Sequence, residues 1–411
     1  MTTRHALEAT ARALGFARCH VARASALPEL RAEVGRRAAA GWYGDLPWFI
    51  SSDRLDRVCD AALTVEGARS VVTVVAPYWS TLDLPPGDEA LRGRVARYAW
   101  GRDYHRVLEW RLRKLARWLR AQGHAARPYV DYGPLAERAY ARRAGAGWLG
   151  KNACLLSREL GSWTVLGACI TDAAFEPDAP APGSCGACTR CVAACPTGCI
   201  VAPGAVVSDR CVSSLTIERR GPIPRALRPL LGDWLFGCDA CQDVCPAGGP
   251  TEPWPELRPR SLDDAAPDLL ALLALDDAAF RLRFQGRALS RAGRDGLLRN
   301  ACVVLGNLAD DRAGAALARV LANDPSALVR GHAAWALGRV GGRAACAALD
   351  AALQRDPDAY VREEAAAARE AGAAVRGVDR MVLARWLAGA DHFPRGRGVA
   401  FASPVRGAPM A

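Results

Sequence analysis

Two cysteine runs constrain this chain more than any other feature. The first, CGACTRCVAACPTGCI (185–200), holds five cysteines, and the fourth is followed by Pro196. Cys185, Cys188, Cys191 and Cys195 are spaced C-x2-C-x2-C-x3-C. This is the bacterial ferredoxin pattern, in which the fourth cysteine serves a second cluster. The pattern therefore predicts a second set, and CDACQDVCP (238–246) supplies Cys238, Cys241 and Cys245, with Pro246 behind them. That set is one thiol short, and Cys211 is the nearest candidate for the missing ligand. Cross-ligation then places Cys185, Cys188, Cys191 and Cys245 on one [4Fe–4S] cluster, and Cys195, Cys211, Cys238 and Cys241 on the other.

Zinc and disulfides account for the pattern less well. A zinc ribbon sets its two CxxC pairs roughly 15–20 residues apart, and the gap from Cys191 to Cys238 is far longer. Zinc also leaves both Cys-Pro pairs without a reason. The opening segment MTTRHALEATARALGF lacks the apolar core of a signal peptide, and no apolar run approaches the roughly 18 residues of a membrane span. The expected location is cytoplasmic, with no membrane partner, and there thiols stay reduced. Cys199, like Cys19, Cys59, Cys154, Cys169, Cys302 and Cys346, is expected to be a small buried thiol.

At 411 residues and 51% hydrophobic content, the chain is long enough for two or three domains of roughly 150 residues. The expected fold is α+β/α multidomain: an N-terminal α/β domain, a two-cluster ferredoxin-like module and a C-terminal HEAT-like α-solenoid. Residues 1–175 read as an α/β domain. SVVTVVAPY (Ser70–Tyr78) is a buried strand, LGACITD (Leu166–Asp172) a second, and Tyr104–Arg120 an amphipathic helix with Leu108, Leu112, Leu115 and Leu119 on one face. Residues 176–250 carry nearly all the clustered cysteines, are poor in apolar residues, and are expected to need a cofactor to fold. Residues 251–372 are Ala/Leu-rich and repeat: RNACVVLGNL begins at Arg299, RGHAAWALGRV at Arg330 and REEAAAAREAG at Arg362, with Asp324-Pro325 and Asp356-Pro357 in step. A period of this length in helix pairs predicts an α-solenoid of the HEAT type. Residues 373–411 form a basic tail without an apolar period and are expected to be partly disordered.

The net charge of +11 points to a polyanionic partner, nucleic acid first. Only Lys114 and Lys151 are lysines, so compositional bias has chosen arginine, but it does not explain the excess of charge. GAGWLGKN (145–152) fits two nucleotide-binding expressions. Both need a strand before the loop, whereas ERAYARRAG reads as a helix, so the glycines predict a helix C-cap. They would also let backbone approach a large flat ligand closely. Asp131, in PYVDYGPLAERAY, reads either as a turn aspartate or as a carboxyl group raised by apolar surroundings into a proton donor.

These segments together resemble the epoxyqueuosine reductases. The resemblance rests on the two cysteine runs, on RCVSSLTIERRGPIP (210–224), GWYGDLPW (41–48), ARYAWGRDYH (96–105), GWLGKN (147–152) and LLRNACVVLGN (297–307), and spans about residues 1–370. It implies a cobalamin-dependent reduction of epoxyqueuosine in a tRNA anticodon to queuosine, by a monomer fed by a low-potential donor of the flavodoxin or ferredoxin type. It makes Asp131 the proton donor and places Arg54, Asp131, Lys151, Asn152, Leu155 and Ser213 in segments that bind cobalamin. Arg287, Arg291, Arg299 and Arg330, in the basic stretches of the solenoid, are the RNA contacts expected. Two other readings stay open: a cobalamin-dependent reductive dehalogenase, which leaves the solenoid and the charge without purpose, and a ferredoxin-like electron carrier on a HEAT scaffold.

Overall fold

The computed structural model describes residues 3–44, 46, 50–247, 251–371 and 387–388. Near the N-terminus four strands form one sheet in the order Cys19–Arg23, Ser70–Pro77, Thr164–Thr171, Ala126–Tyr129. Every neighbouring pair is antiparallel, with Val72 opposite Val21 on one side and Cys169 on the other. The α/β expectation is corrected here: this part is α+β. Its central strand Ser70–Pro77 is buried almost throughout because both faces of the sheet are covered. Side chains alternate between faces along a strand, so Val72 and Val74 pack under one layer while Val71 and Val75 pack under the other. A continuous β-branched run reports burial on both sides and says nothing of strand direction.

The helix Tyr104–Ala121 covers one face, and Leu108, Leu112, Leu115 and Leu119 are fully buried beneath it. Each contributes about 2 kcal/mol by leaving water. Gly167 lets this helix lie close, since a Cβ there would come within 2.6 Å of Leu112. The short helix Glu137–Arg143 lies on the other face and ends as expected. Gly145 takes φ +74°, its N–H donates to Arg142 O, and the Ala146 N–H donates to Ala141 O, which is a Schellman cap.

The cysteine module has little core of its own. Cys191, Cys199 and Ile200 are its buried apolar cluster, with Val206 and Val244 beside them. Its frame is two short helices, Arg190–Ala194 and Ala240–Asp243, a hairpin Ile200–Ala202 with Ala205–Val206, and a helix Val212–Ile217. The strand Trp234–Phe236 pairs in parallel with Arg94–Val95 from the N-terminal part. A single large core then takes in Leu91–Trp100, Val212–Phe236 and the helices beyond residue 262.

The repeat appears as helices Gly293–Leu308, Gly314–Asn323, Ala327–Val340, Gly342–Arg355 and Ala359–Ala371. An arginine of one helix pair reaches the Asp-Pro turn that follows: Arg294 pairs with Asp324 at 2.6 Å and Arg330 with Asp356 at 2.8 Å. Arg330 also donates to Asp324 O, as Arg362 does to Asp356 O, so the same fastening recurs in each repeat. The basic tail lies outside the described residues apart from 387–388, of which Leu387 is buried and accepts a hydrogen bond from the Leu82 N–H.

Candidate active site

The thiols sort into two neighbourhoods. Burial raises the Cys191 thiol, and Cys185 and Cys188 add to the shift. Burial does the same for Cys245, with Cys154, Cys185 and Cys191 close enough to act on it. Elsewhere Cys211 acts on both Cys238 and Cys241, and Cys195 acts on Cys211. The last cysteine of the second run therefore lies with the first three of the first run. None of them is in a disulfide. Two thiols expected to be small buried bystanders are also here. Cys199 Sγ lies 3.4 Å from Cys195 Sγ and also hydrogen-bonds Cys211, while Cys154 hydrogen-bonds Cys241. The five-residue span from Cys195 to Cys199, closed by the turn at Gly198 (φ +60°), brings the first pair together.

Asp131 stands at the end of the strand Ala126–Tyr129 with a left-handed backbone, φ +60°. Its N–H donates to Glu137 Oε2 at 2.9 Å, which ties the turn to the first turn of the next helix. Its carboxylate faces His105: Oδ2 lies 3.3 Å from Nε2, and Nδ1 of the same ring lies 2.7 Å from Asp103 Oδ1. Crowding by neighbouring groups works against ionisation of Asp131, although its side chain stays two-thirds exposed, but the hydrogen bond and charge of His105, with help from Tyr104 and Arg138, hold it below the usual carboxylate range. This corrects the expectation of a raised Asp131. The raised carboxyl is Glu137, pushed up to about 8 by burial and by the charge of Asp131. Burial alone would lower His105, yet its hydrogen bonds to Asp103 and Asp131 outweigh that and raise it to about 9. None of these three partners was singled out from sequence. Asp103, Tyr104 and His105 fall within ARYAWGRDYH, whose only local signal is an N-cap aspartate two residues before a histidine.

The acid site and the thiols are linked by a chain of ring contacts, the first stacked and the next two edge-to-face. Tyr104 lies 4.0 Å from His105 and 5.8 Å from Tyr98, and Tyr98 lies 6.5 Å from Tyr78. The Tyr78 hydroxyl accepts from Gln242 at 2.9 Å, between Cys241 and Cys245. Asn152 bridges the same gap: its Nδ2 donates to Cys241 O and its Oδ1 accepts from the Cys154 N–H. Lys151 donates to Gly186 O, Leu155 is buried against Val75 and Ala141, and Ser213 offers its N–H to Cys211. Arg54 lies in the helix Ser52–Cys59. The glycine loop packs against the chain itself: a Cβ on Gly147 would meet Leu156 O at 2.2 Å, and one on Gly145 would meet Ala179 O at 2.3 Å.

The expected RNA contacts divide. Arg299 is fully buried and donates to Arg219 O, Gly221 O and Leu215 O, so it cannot meet a phosphate. Arg287 is buried too, donating to Trp100 O and pairing with Asp264. Arg330 is held by Asp356 and the Asp324 carbonyl. These three expectations are corrected: the basic stretches supply joints between segments as well as a charged surface. Arg291 alone is half exposed, paired with Glu218 and close enough to Asp131 to sense its charge.

Three family models match the chain: a 4Fe-4S double cluster binding domain over residues 184–248, epoxyqueuosine reductase QueG (DUF1730) over 59–132, and HEAT repeats over 286–369. An epoxyqueuosine reductase of Gloeobacter violaceus is 41% identical over 320 residues, which is 75% of this chain and 98% of that protein. The chain belongs to the epoxyqueuosine reductase family. A second member of the family, from Xanthomonas campestris, is 39% identical over 80% of this chain and 93% of its own length. A crystal structure of an epoxyqueuosine reductase with an epoxyqueuosine-modified tRNA-Tyr stem loop superposes with a TM-score of 0.84 at 32% identity, over 89% of this chain and 98% of the other. The enzyme from Bacillus subtilis, solved with the loop of its catalytic aspartate swung out of the active site, gives 0.84 at 31% identity over 90% and 98% of the two chains. Membership of this family makes the chain an iron–sulfur oxidoreductase. Among the described residues no helix is long and apolar enough to cross a membrane.

Proposed function

We propose that the chain reduces epoxyqueuosine at the wobble position of a tRNA anticodon to queuosine, the last step in making that nucleoside. The observation that carries this reading is the chain of ring contacts from Asp131's partner His105 through Tyr104 and Tyr98 to Tyr78, which meets Gln242 beside the second cysteine run, in a chain of this family. Opening an epoxide to an alkene consumes two electrons and two protons and releases water. One end of the site handles protons and the other electrons.

The donor set at the thiol end suits [4Fe–4S] clusters, which take four thiolates each. We assign Cys185, Cys188, Cys191 and Cys245 to one and Cys195, Cys211, Cys238 and Cys241 to the other; the two thiol neighbourhoods support this division. Cobalamin belongs between the two ends. Glu137 Oε1, buried without a partner among the described residues, fits a ligand edged with amides. We assign Lys151, Asn152, Leu155 and Ser213 to the thiol side of that space, and Asp131 and Arg54 as the cofactor contacts from the N-terminal part. When bound, cobalamin supplies electrons to the substrate at low potential, one reason the clusters must feed it. Asp131 delivers the proton to the departing oxygen. The electron donor is assigned to the flavodoxin or ferredoxin class, and the enzyme is read as a cytoplasmic monomer.

The test is single-turnover conversion of epoxyqueuosine tRNA by reduced enzyme, read by nucleoside mass spectrometry alongside iron, sulfide and corrinoid content. Asp131→Asn should keep all three contents and lose about 10²-fold or more in rate. Near-native conversion by Asp131→Asn would overturn its role, and absence of corrinoid from active enzyme would overturn the cofactor.

A further inference from the structure

The reaction needs two protons, and Asp131 stands as a carboxylate, held low by its neighbours. Its side chain is 67% exposed in the free protein, so once bound substrate covers it the proton must come from a group that touches both it and solvent. We propose that His105 is a relay that passes solvent protons to Asp131, with Asp103 holding the ring in place; this rests on the reading of Asp131 as the proton donor.

The geometry is specific. Each ring nitrogen faces a carboxylate, Nδ1 facing Asp103 at 2.7 Å and Nε2 facing Asp131 at 3.3 Å. Asp103 also accepts from the His105 N–H at 3.0 Å as the cap of its helix, so the first turn fixes where the ring stands. Tyr104 stacks on the ring at 4.0 Å, and Tyr132 leans over it at 5.6 Å. The His105 side chain is still 26% exposed, so water can recharge it. Few other groups face this pair. The Tyr104 hydroxyl meets Asp131, but burial pushes it well above the usual range and it keeps its proton. Glu137 meets the Asp131 backbone N–H and feels the charge of His105. Arg106 acts on Asp103, Arg138 on Asp131 and Glu137, and Arg291, paired with Glu218, on Asp131.

The steps balance without a further reagent. The Nε2–H bond of the imidazolium breaks as an Asp131 O–H bond forms. That O–H then breaks as the substrate oxygen takes the proton and its C–O bond opens, with the electrons of the reduction closing the alkene. His105, left neutral, takes a proton from water, and the cycle repeats for the second proton. No group of the relay changes oxidation state.

His105 is raised to about 9, so the relay is charged below that pH and empties as pH rises through it. The experiment follows single-turnover conversion of an epoxyqueuosine-modified stem loop by reduced holoenzyme between about pH 6 and pH 10. Native enzyme should show a fall in rate near pH 9. His105→Gln should be slower at neutral pH by about 10²-fold and lose that fall. Asp103→Asn keeps the helix cap but removes the charge, so it should move the fall toward the ordinary imidazole range near about 6.5. A His105→Gln rate within about twofold of native, or the same fall in that variant, overturns the relay. So does an unmoved fall in Asp103→Asn. If Asp131→Asn is inactive while His105→Gln is normal, only the relay fails; if Asp131→Asn is active, the Asp131 reading fails first.

Discussion

The cysteine module and the solenoid solve the same folding problem in opposite ways. The solenoid, from Gly293 to Ala371, buries leucine, valine and alanine in one core and repeats an Arg–Asp fastening at each turn. The module has three buried apolar residues at its centre, two of them cysteines, and short helices of four to six residues. One is held by packing between its own repeats. The other is held by what its thiols bind and by its neighbours. The difference teaches where loss of a group spreads and where it stays local.

Removing the iron should break the comparison most completely. Chelation with oxidation should strip the clusters and release residues 184–247 to fast hydrogen exchange while the solenoid helices stay protected, because a metal-held fold draws its folding energy from the metal. Equal protection of both regions would show that the module folds on its own. Next comes Arg299→Ala, at the joint between the two. It leaves the carbonyls of Leu215, Arg219 and Gly221 without their donor, so a loss of about 3 kcal/mol is expected by denaturant unfolding. Arg330→Ala acts inside the solenoid on a mostly buried fastening and should cost about 2 kcal/mol. The smallest effect on stability belongs to Arg291→Ala, within about 0.5 kcal/mol. It should instead weaken binding of the tRNA stem loop and lower the salt slope by about 1. Unchanged binding would remove Arg291 from the RNA surface.

What could be read from sequence was local. The cysteine spacings, the leucine face of Tyr104–Ala121, the Gly145 cap and the repeat of Arg330 and Arg362 all lie in windows where spacing and periodicity speak directly. The antiparallel sheet was not legible, because burial of Ser70–Pro77 on both faces gives the same letters in either direction. Nor was the acid site. His105 and Asp131 are separated by a whole helix and a strand, and Glu137 has an unremarkable place in a first helical turn. The arginines misled for a related reason. Burial of Arg299 depends on carbonyls some 80 residues earlier, and no charge count over its own stretch contains that information.

The left-handed backbone of Asp131 limits which side chains evolution or an experimenter can place there. Among residues with a Cβ, aspartate and asparagine enter that region with least penalty, whereas alanine carries roughly 1 kcal/mol or more. Asparagine at 131 therefore changes the chemistry and spares the shape. Alanine changes both, and glycine keeps the backbone N–H that donates to Glu137 but loses the carboxylate that faces His105. A mutational scan of this position would rank substitutions by backbone tolerance first and acidity second, so only the Asp–Asn pair separates the two.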